Sequence, residues 1–145
     1  MLDPRLQIPD GVAKSSVNYV VPFYDTDAMA IVHHANYVRY LELARVRFLQ
    51  EHDQAYTLYV EQGFHVVVMR VDIQLKRPTR FDERLEVICW LERVRSASLA
   101  FGYQIRNGEF LTATGMTEHG VVNMQGKATR MPEARRIRLQ SLLAP

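Results

Sequence analysis

Cysteine is nearly absent from this chain. Cys89 stands alone, so no disulfide can form within it, and a reducing compartment is the expected home. There is no apolar run near the roughly 18 residues that a membrane-spanning helix needs. The start of the chain carries Asp3, Pro4, Pro9 and Asp10 and lacks the apolar block of a secretory signal, so a cytoplasmic protein is expected. An excess of one charge is missing too. Eighteen Lys and Arg stand against 16 Asp and Glu, a net charge of +2, too little to attract nucleic acid by itself. Lysine is scarce: only Lys14, Lys76 and Lys127 occur, and every other basic residue is arginine. Arginine suits bidentate phosphate contacts, although a GC-rich genome produces the same bias. Internal repeats and linkers are also lacking. With 145 residues, 48% hydrophobic and 23% charged, one globular domain over 1–145 with a real core is expected.

What is present is periodic. Residues 16–23 (SVNYVVPF) read as a strand, with Pro22 marking an edge or an end. Tyr37, Leu41, Ala44 and Phe48 then recur at helical spacing, which puts all four on one face. The spacing predicts a helix over 36–51, about 24 Å long, with Asn36 as its N-cap. Residues 54–62 read as a short second helix stopped by Gly63. After His65 the period becomes two. Val67, Met69, Val71, Ile73 and Leu75 fall on one side, and Val68, Arg70, Asp72, Gln74 and Lys76 on the other, as in a half-buried strand. Leu85, Val87, Cys89 and Leu91 mark the next strand, and Leu99, Phe101, Tyr103 and Ile105 the one after. Asn107-Gly108 signals a hairpin. The last strand, 110–122, contains Gly115 and Gly120, read as bulges or as points of close backbone approach. Pro132 opens a short helix reaching 141. The order is strand, long helix, then four antiparallel strands. It predicts an α+β layer fold in which one long helix is wrapped by a curved antiparallel sheet of about five strands. Such a sheet leaves an edge and part of the helix uncovered, so a homodimer, or a dimer of dimers forming a homotetramer, is expected.

The chemistry concentrates in one stretch, YDTDAMAIVHHANYVRYLELAR, from Tyr24 to Arg45. Asp25, Asp27, His33 and His34 lie in a loop that feeds the front end of the helix. Such an end offers unpaired N–H groups and partial positive charge. An acid beside preorganised donors is what acyl transfer needs. Taken alone, an aspartate in a loop is more often a turn or cap residue. Asp25 reads as that kind of turn former. Two imidazoles and two carboxylates also suggest a metal, but adjacent histidines cannot easily reach one ion and no third histidine lies nearby, so no metal is expected. His65 and His119 carry no functional signal.

The stretch resembles the signature of the hot-dog acyl-CoA thioesterases of the 4-hydroxybenzoyl-CoA thioesterase type, and especially the branch associated with the Tol–Pal system. The match runs through Tyr24, Asp25, Thr26, Asp27, Ala28, Val32, His34, Ala35, Asn36, Tyr37, Glu42, Ala44 and Arg45. It continues at Arg77-Pro78, Arg80-Phe81-Asp82, Ser96, Ser98, Phe101 and Tyr103. Met29-Ala30 stands where the family commonly has Gly-Gly or similar small residues, and His33 where Tyr is more usual. The resemblance implies a hot-dog fold and hydrolysis of an acyl-CoA thioester, with no cofactor beyond the coenzyme A of the substrate. It implies Asp27 as base or nucleophile, His34 as its support, and the helix start at His34, Ala35, Asn36 and Tyr37 as the oxyanion hole. Arg93, Arg95, Ser98 and Arg130 are the implied coenzyme A contacts. Arg135, Arg136 and Arg138 either add to them or form an exposed helix face. Two other readings remain: a hydratase or dehydratase on the same scaffold, and a non-catalytic module binding acyl-CoA or acyl-carrier protein.

Overall fold

A computed structural model describes residues 7–145. Residues 7–13 form an irregular lead-in to the first strand, and residues 1–6 lie outside the described range. Strand β1 (Lys14–Val20) comes first, then a single 3-10 turn (Phe23–Asp25) and helix α1 (Asn36–His52). A short helix α2 (Tyr56–Glu61) leads into β2 (Phe64–Leu75), β3 (Arg84–Arg95), β4 (Ser98–Asn107) and β5 (Phe110–Asn123), and α3 (Glu133–Gln140) follows. The five strands form one sheet in the order β1-β3-β4-β5-β2, every neighbouring pair antiparallel. The strand-then-helix-then-sheet plan is the α+β arrangement that the periodicity implies. β1 is an edge strand and ends two residues before Pro22. The strand expected over 16–23 is therefore shifted toward the N-terminus, because Phe23 enters the 3-10 turn instead.

The face of α1 carrying Tyr37, Leu41, Ala44 and Phe48 is buried against Leu85, Val87, Cys89 and Leu91 of β3 and Leu99, Phe101, Tyr103 and Ile105 of β4. Each large side chain removed from water there contributes about 2–3 kcal/mol. Burial also pushes the Cys89 thiol well above its usual pKa, which leaves it protonated and unreactive. Gly115 interrupts nothing: β5 runs straight through it. Its role is space, since a Cβ there would sit 3.2 Å from Leu41 Cδ1, where helix and sheet approach closely. On the opposite face Ile88 and Trp90 pack with Val12 and Ile8 from the lead-in.

Two expectations need correction here. The apolar side of β2 is not 67, 69, 71, 73 and 75. A register shift between Val68 and Arg70 inserts Met69 as an extra residue. Val66 and Val68 therefore share a face with Val71, Ile73 and Leu75, as their β5 partners Val121, His119, Thr117, Gly115 and Ala113 show. Nor is β2 half-buried along its length: Met69 is 72% exposed, and Val68, Val71 and Leu75 are exposed too. The second correction concerns arginines. Arg135 pairs with the buried carboxylate of Asp53, Arg136 with Glu133, and Arg138 Nε donates to His52 O at 2.7 Å. Two of the three thus tie α3 to the end of α1.

Trp90 lies across Gly102, its cross-strand partner, and a Cβ at Gly102 would fall 2.6 Å from the indole ring. Gly102→Ala is expected to destabilise the protein by about 1–3 kcal/mol through overpacking, measured by urea unfolding.

Candidate functional site

The loop between β1 and α1 folds back on itself. Asp27 N–H donates to Ile31 O and His33 N–H to Asp25 O, both at 2.9 Å, which closes a small antiparallel bridge between Thr26 and Val32. At its tip Ala30 N–H donates to Asp27 O at 2.9 Å, and Ala30 takes a left-handed φ of 62°. Val32 N–H donates to Thr79 O at 2.7 Å, so the buried Thr79 pins the loop to the segment after β2.

Asp25 and Asp27 are two residues apart and meet opposite environments. The Asp25 side chain is 1% exposed. Its Oδ2 accepts from Tyr40 at 2.6 Å and Tyr19 at 2.8 Å, and its Oδ1 from Arg39 at 2.7 Å. Burial pushes this carboxyl up; the Tyr40 and Tyr19 hydroxyls and Arg39 outweigh it, and the pKa ends below the ordinary carboxylate value. The Tyr19 phenol is in turn pushed up to about 12, by burial first and then by Asp25. Asp25 is thus a buried structural carboxylate rather than a simple turn former.

Asp27 is partly exposed. Its Oδ1 accepts the Met29 N–H at 2.9 Å, the local bond a turn aspartate makes, while Oδ2 has no protein partner among the described residues. It lines a cavity of about 400 Å³ together with His34, Met29, Ile31, Val32 and Tyr37, and with Leu75, Lys76, Arg77 and Pro78 from the end of β2. The walls are mainly apolar, with one acid, one imidazole and two cations. Sequence reasoning missed Lys76 and Thr79: neither has a motif of its own, and only the chain path brings them to the loop.

The helix start differs from expectation in detail. Ala35, not Asn36, is the N-cap, and no side chain caps it. Asn36 is used elsewhere: its Nδ2 donates to Asp25 O at 2.7 Å, and its Oδ1 accepts from Arg39 Nη2 at 2.8 Å. The backbone donors are mostly taken. Ala35 N–H goes to His33 Nδ1 at 3.1 Å, Asn36 N–H to His33 O at 2.9 Å, and Tyr37 N–H to His34 O at 3.3 Å. The His34 N–H has no acceptor among the described residues. The two imidazoles stack, with ring centroids 4.2 Å apart. Among the described residues no group of three or more His, Cys, Asp and Glu is placed to hold a metal ion.

Arg93, Arg95, Ser98 and Arg130 do not reach this cavity in the same chain. Arg95 pairs with Ser98 across the β3–β4 turn, and the segment holding Arg130 runs beside it, with Met131 N–H donating to Ser96 O at 2.9 Å. Ser98 lies opposite Gly120 and Leu75 opposite Ala113 on β5, so the two ends stand roughly 23 Å apart at about 3.3 Å per residue. Arg93 is held by Glu118 at 3.7 Å.

Among the described residues no helix is long and apolar enough to cross a membrane. Residues 21–139 match the family model described as the thioesterase-like superfamily. The acyl-CoA thioester hydrolase YbgC of Escherichia coli is 33% identical over 89 residues, 61% of this chain and 66% of that protein. A hypothetical protein of Thermus thermophilus, solved by crystallography, is 32% identical with a TM-score of 0.84, covering 90% of this chain and 98% of its own. The DHNA-CoA thioesterase of Staphylococcus aureus shares the fold at a TM-score of 0.83 and 23% identity, over 88% of this chain and 89% of that one.

His119 of β5 is the second buried titratable group of note. It is 1% exposed, bonds Thr117 Oγ1 through Nε2 at 2.8 Å, and is held down to a pKa of about 3 by burial and then by Arg45. Unfolded, it would take a proton near pH 6.5. Between those values the unfolded chain binds a proton that the fold refuses, so stability falls as pH falls. Thermal melts should lose on the order of 2–3 kcal/mol between pH 7.5 and 4.5, and His119→Gln should flatten that slope. The Asp25 carboxylate adds its loss only below about pH 4, the ordinary carboxylate range.

Proposed function

This chain belongs to the thioesterase-like superfamily and is an enzyme that hydrolyses acyl-CoA thioesters, and we propose that Asp27 and the His34 N–H carry the reaction. One observation bears most of the weight. The Asp27 oxygen and the His34 N–H that have no partner among the described residues belong to residues of one apolar cavity, at the start of a 17-residue helix. The thioester carbonyl oxygen points at that N–H, with the helix N-terminus adding positive potential. Asp27 takes a proton from water as the water oxygen bonds to the carbonyl carbon. The tetrahedral oxyanion then collapses, the C–S bond breaks, and the proton passes to the leaving thiolate. Of the four helix-start residues expected to form the oxyanion hole, His34 is the one whose backbone supplies it. Ala35, Asn36 and Tyr37 hold the turn in shape. The acyl group lies among Met29, Ile31, Val32, Tyr37 and Leu75. Within the superfamily we assign the chain to the 4-hydroxybenzoyl-CoA thioesterase type, near the Tol–Pal-associated branch, on its Tyr24–Arg45 block.

Coenzyme A needs cations, and within one chain Arg93, Arg95, Ser98 and Arg130 stand at the wrong end of the sheet. The edge position of β2 supports a site shared between two copies. Val68, Met69 and Val71 are exposed there, and Val38 of α1 is exposed as well. Pairing two β2 edges antiparallel about a two-fold axis sets the Leu75 end of one chain beside the Phe64 end of the other. The arginines of one copy then face the cavity of its neighbour, two or three strands in from the join, or about 10–14 Å. The working unit is a homodimer, open to further pairing.

Asp27→Asn should leave the fold intact and lower kcat by about 10²–10⁴-fold in a thiol-release assay. Near-wild-type turnover in that variant would sink the mechanism. His34→Ala keeps the backbone N–H, so a loss nearer tenfold is expected in the same assay. Val38→Glu combined with Val71→Glu should give a monomer by sedimentation and raise KM for acyl-CoA. A monomeric wild type would refute the shared site.

A further inference from the structure

We propose that Asp25 is a positioning residue for the reaction, acting through its carboxylate and its main-chain carbonyl to fix the Asp27 side chain against the His34 N–H. The proposal rests on the reading of Asp27 and His34 given above. Asp25 touches β1, α1 and both arms of the loop. Its carboxylate takes Tyr19 from β1 and Tyr40 and Arg39 from α1. Its carbonyl takes the His33 N–H at 2.9 Å and the Asn36 amide at 2.7 Å. The first set locks the outgoing arm of the loop to strand and helix. The second locks the returning arm and the first helical residue to that same point. Asp27 is two residues past the lock on one arm, and the free N–H is one residue past it on the other. The two groups that must meet across a carbonyl are therefore each separated from a common buried anchor by almost no free backbone. A misplacement of about 1 Å between such groups can cost on the order of 10²-fold in rate.

A buried carboxylate with tyrosine and arginine donors can also serve stability alone, and the molecule contains that control. Asp53 is buried at the far end of α1 and accepts from Tyr59 at 2.5 Å and from Arg135. It touches nothing in the cavity. Tyr40→Phe and Tyr59→Phe each delete one hydroxyl from a buried carboxylate and keep the ring. Both should lower the melting temperature. Assayed well below either melting point, Tyr40→Phe should lower kcat for acyl-CoA at least tenfold with KM within about threefold, while Tyr59→Phe should leave kcat unchanged. Amide hydrogen exchange gives a readout that needs no turnover: residues 26–36 should exchange faster in Tyr40→Phe and not in Tyr59→Phe. Unchanged kcat or unchanged exchange in folded Tyr40→Phe overturns the proposal, as does an equal fall of kcat in both variants. A wild-type protein that hydrolyses no thioester would instead refute the functional reading, and the exchange comparison would still decide whether Asp25 sets the loop.

Discussion

A carboxylate taken out of water has to be met by donors on nearly every side, or it costs more than the fold can bear. Asp25 is met by three, and the residues that meet it come from β1 and from two successive positions of α1. That requirement arranges much else. Tyr19 and Tyr40 pack with ring centroids 4.7 Å apart, which brings the edge strand against the helix. Arg39 reaches back over the first turn, and Asn36 is drawn away from capping toward the loop. The unusual helix start follows from this: with Asn36 committed to Asp25, the His33 ring and backbone satisfy the first donors, and the His34 N–H is left without an acceptor among the described residues.

Much of this was legible in the sequence. The four-residue helical stripe lies in the core as its spacing implies, because one face of α1 has a sheet to cover it. The Asn107-Gly108 turn is a hairpin, with Gly108 at a φ of 59°. What period alone could not carry was β2. Its alternation is unbroken in the sequence, yet Met69 is an inserted residue, and a single insertion reverses every side chain before it relative to those after. No local signal marks Met69. The bulge is set by the pairing with β5, some fifty residues further along.

The candidate site shows the same division. A motif picks out Asp25 and Asp27 together but cannot say which is buried. Their fates are decided by Tyr19, Tyr40 and Arg39, none of which belongs to the two-aspartate pattern. Arg135 and Arg138 read in the sequence either as phosphate contacts or as an exposed helix face, and the structure uses both to fasten α3 to α1. Arg93, Arg95, Ser98 and Arg130 share one end of the sheet, but the acid stands at the other. A motif read along the sequence cannot show that its parts fold to opposite ends of one sheet.

The tip of the loop argues for where selectivity resides. Ala30 holds a φ of 62°, a conformation that costs a non-glycine residue about 1–2 kcal/mol. Glycine is common at this place in the resembling family, which is what that backbone angle would favour. Strain of this size survives where the surroundings over-determine the conformation and something depends on it. Here the Asp27 carboxylate fixes the Met29 N–H from one side, and Ala30 N–H returns to Asp27 O from the other. Between these two bonds the Met29 side chain is set at the cavity wall, beside the residues that would meet an acyl chain. A Gly-Gly tip would offer neither the thioether nor the restricted backbone, so the acyl end of the cavity would be wider and less defined. In the proposed site the acid and the donor are positioned from the buried Asp25, while the strained tip shapes the cavity wall at Met29.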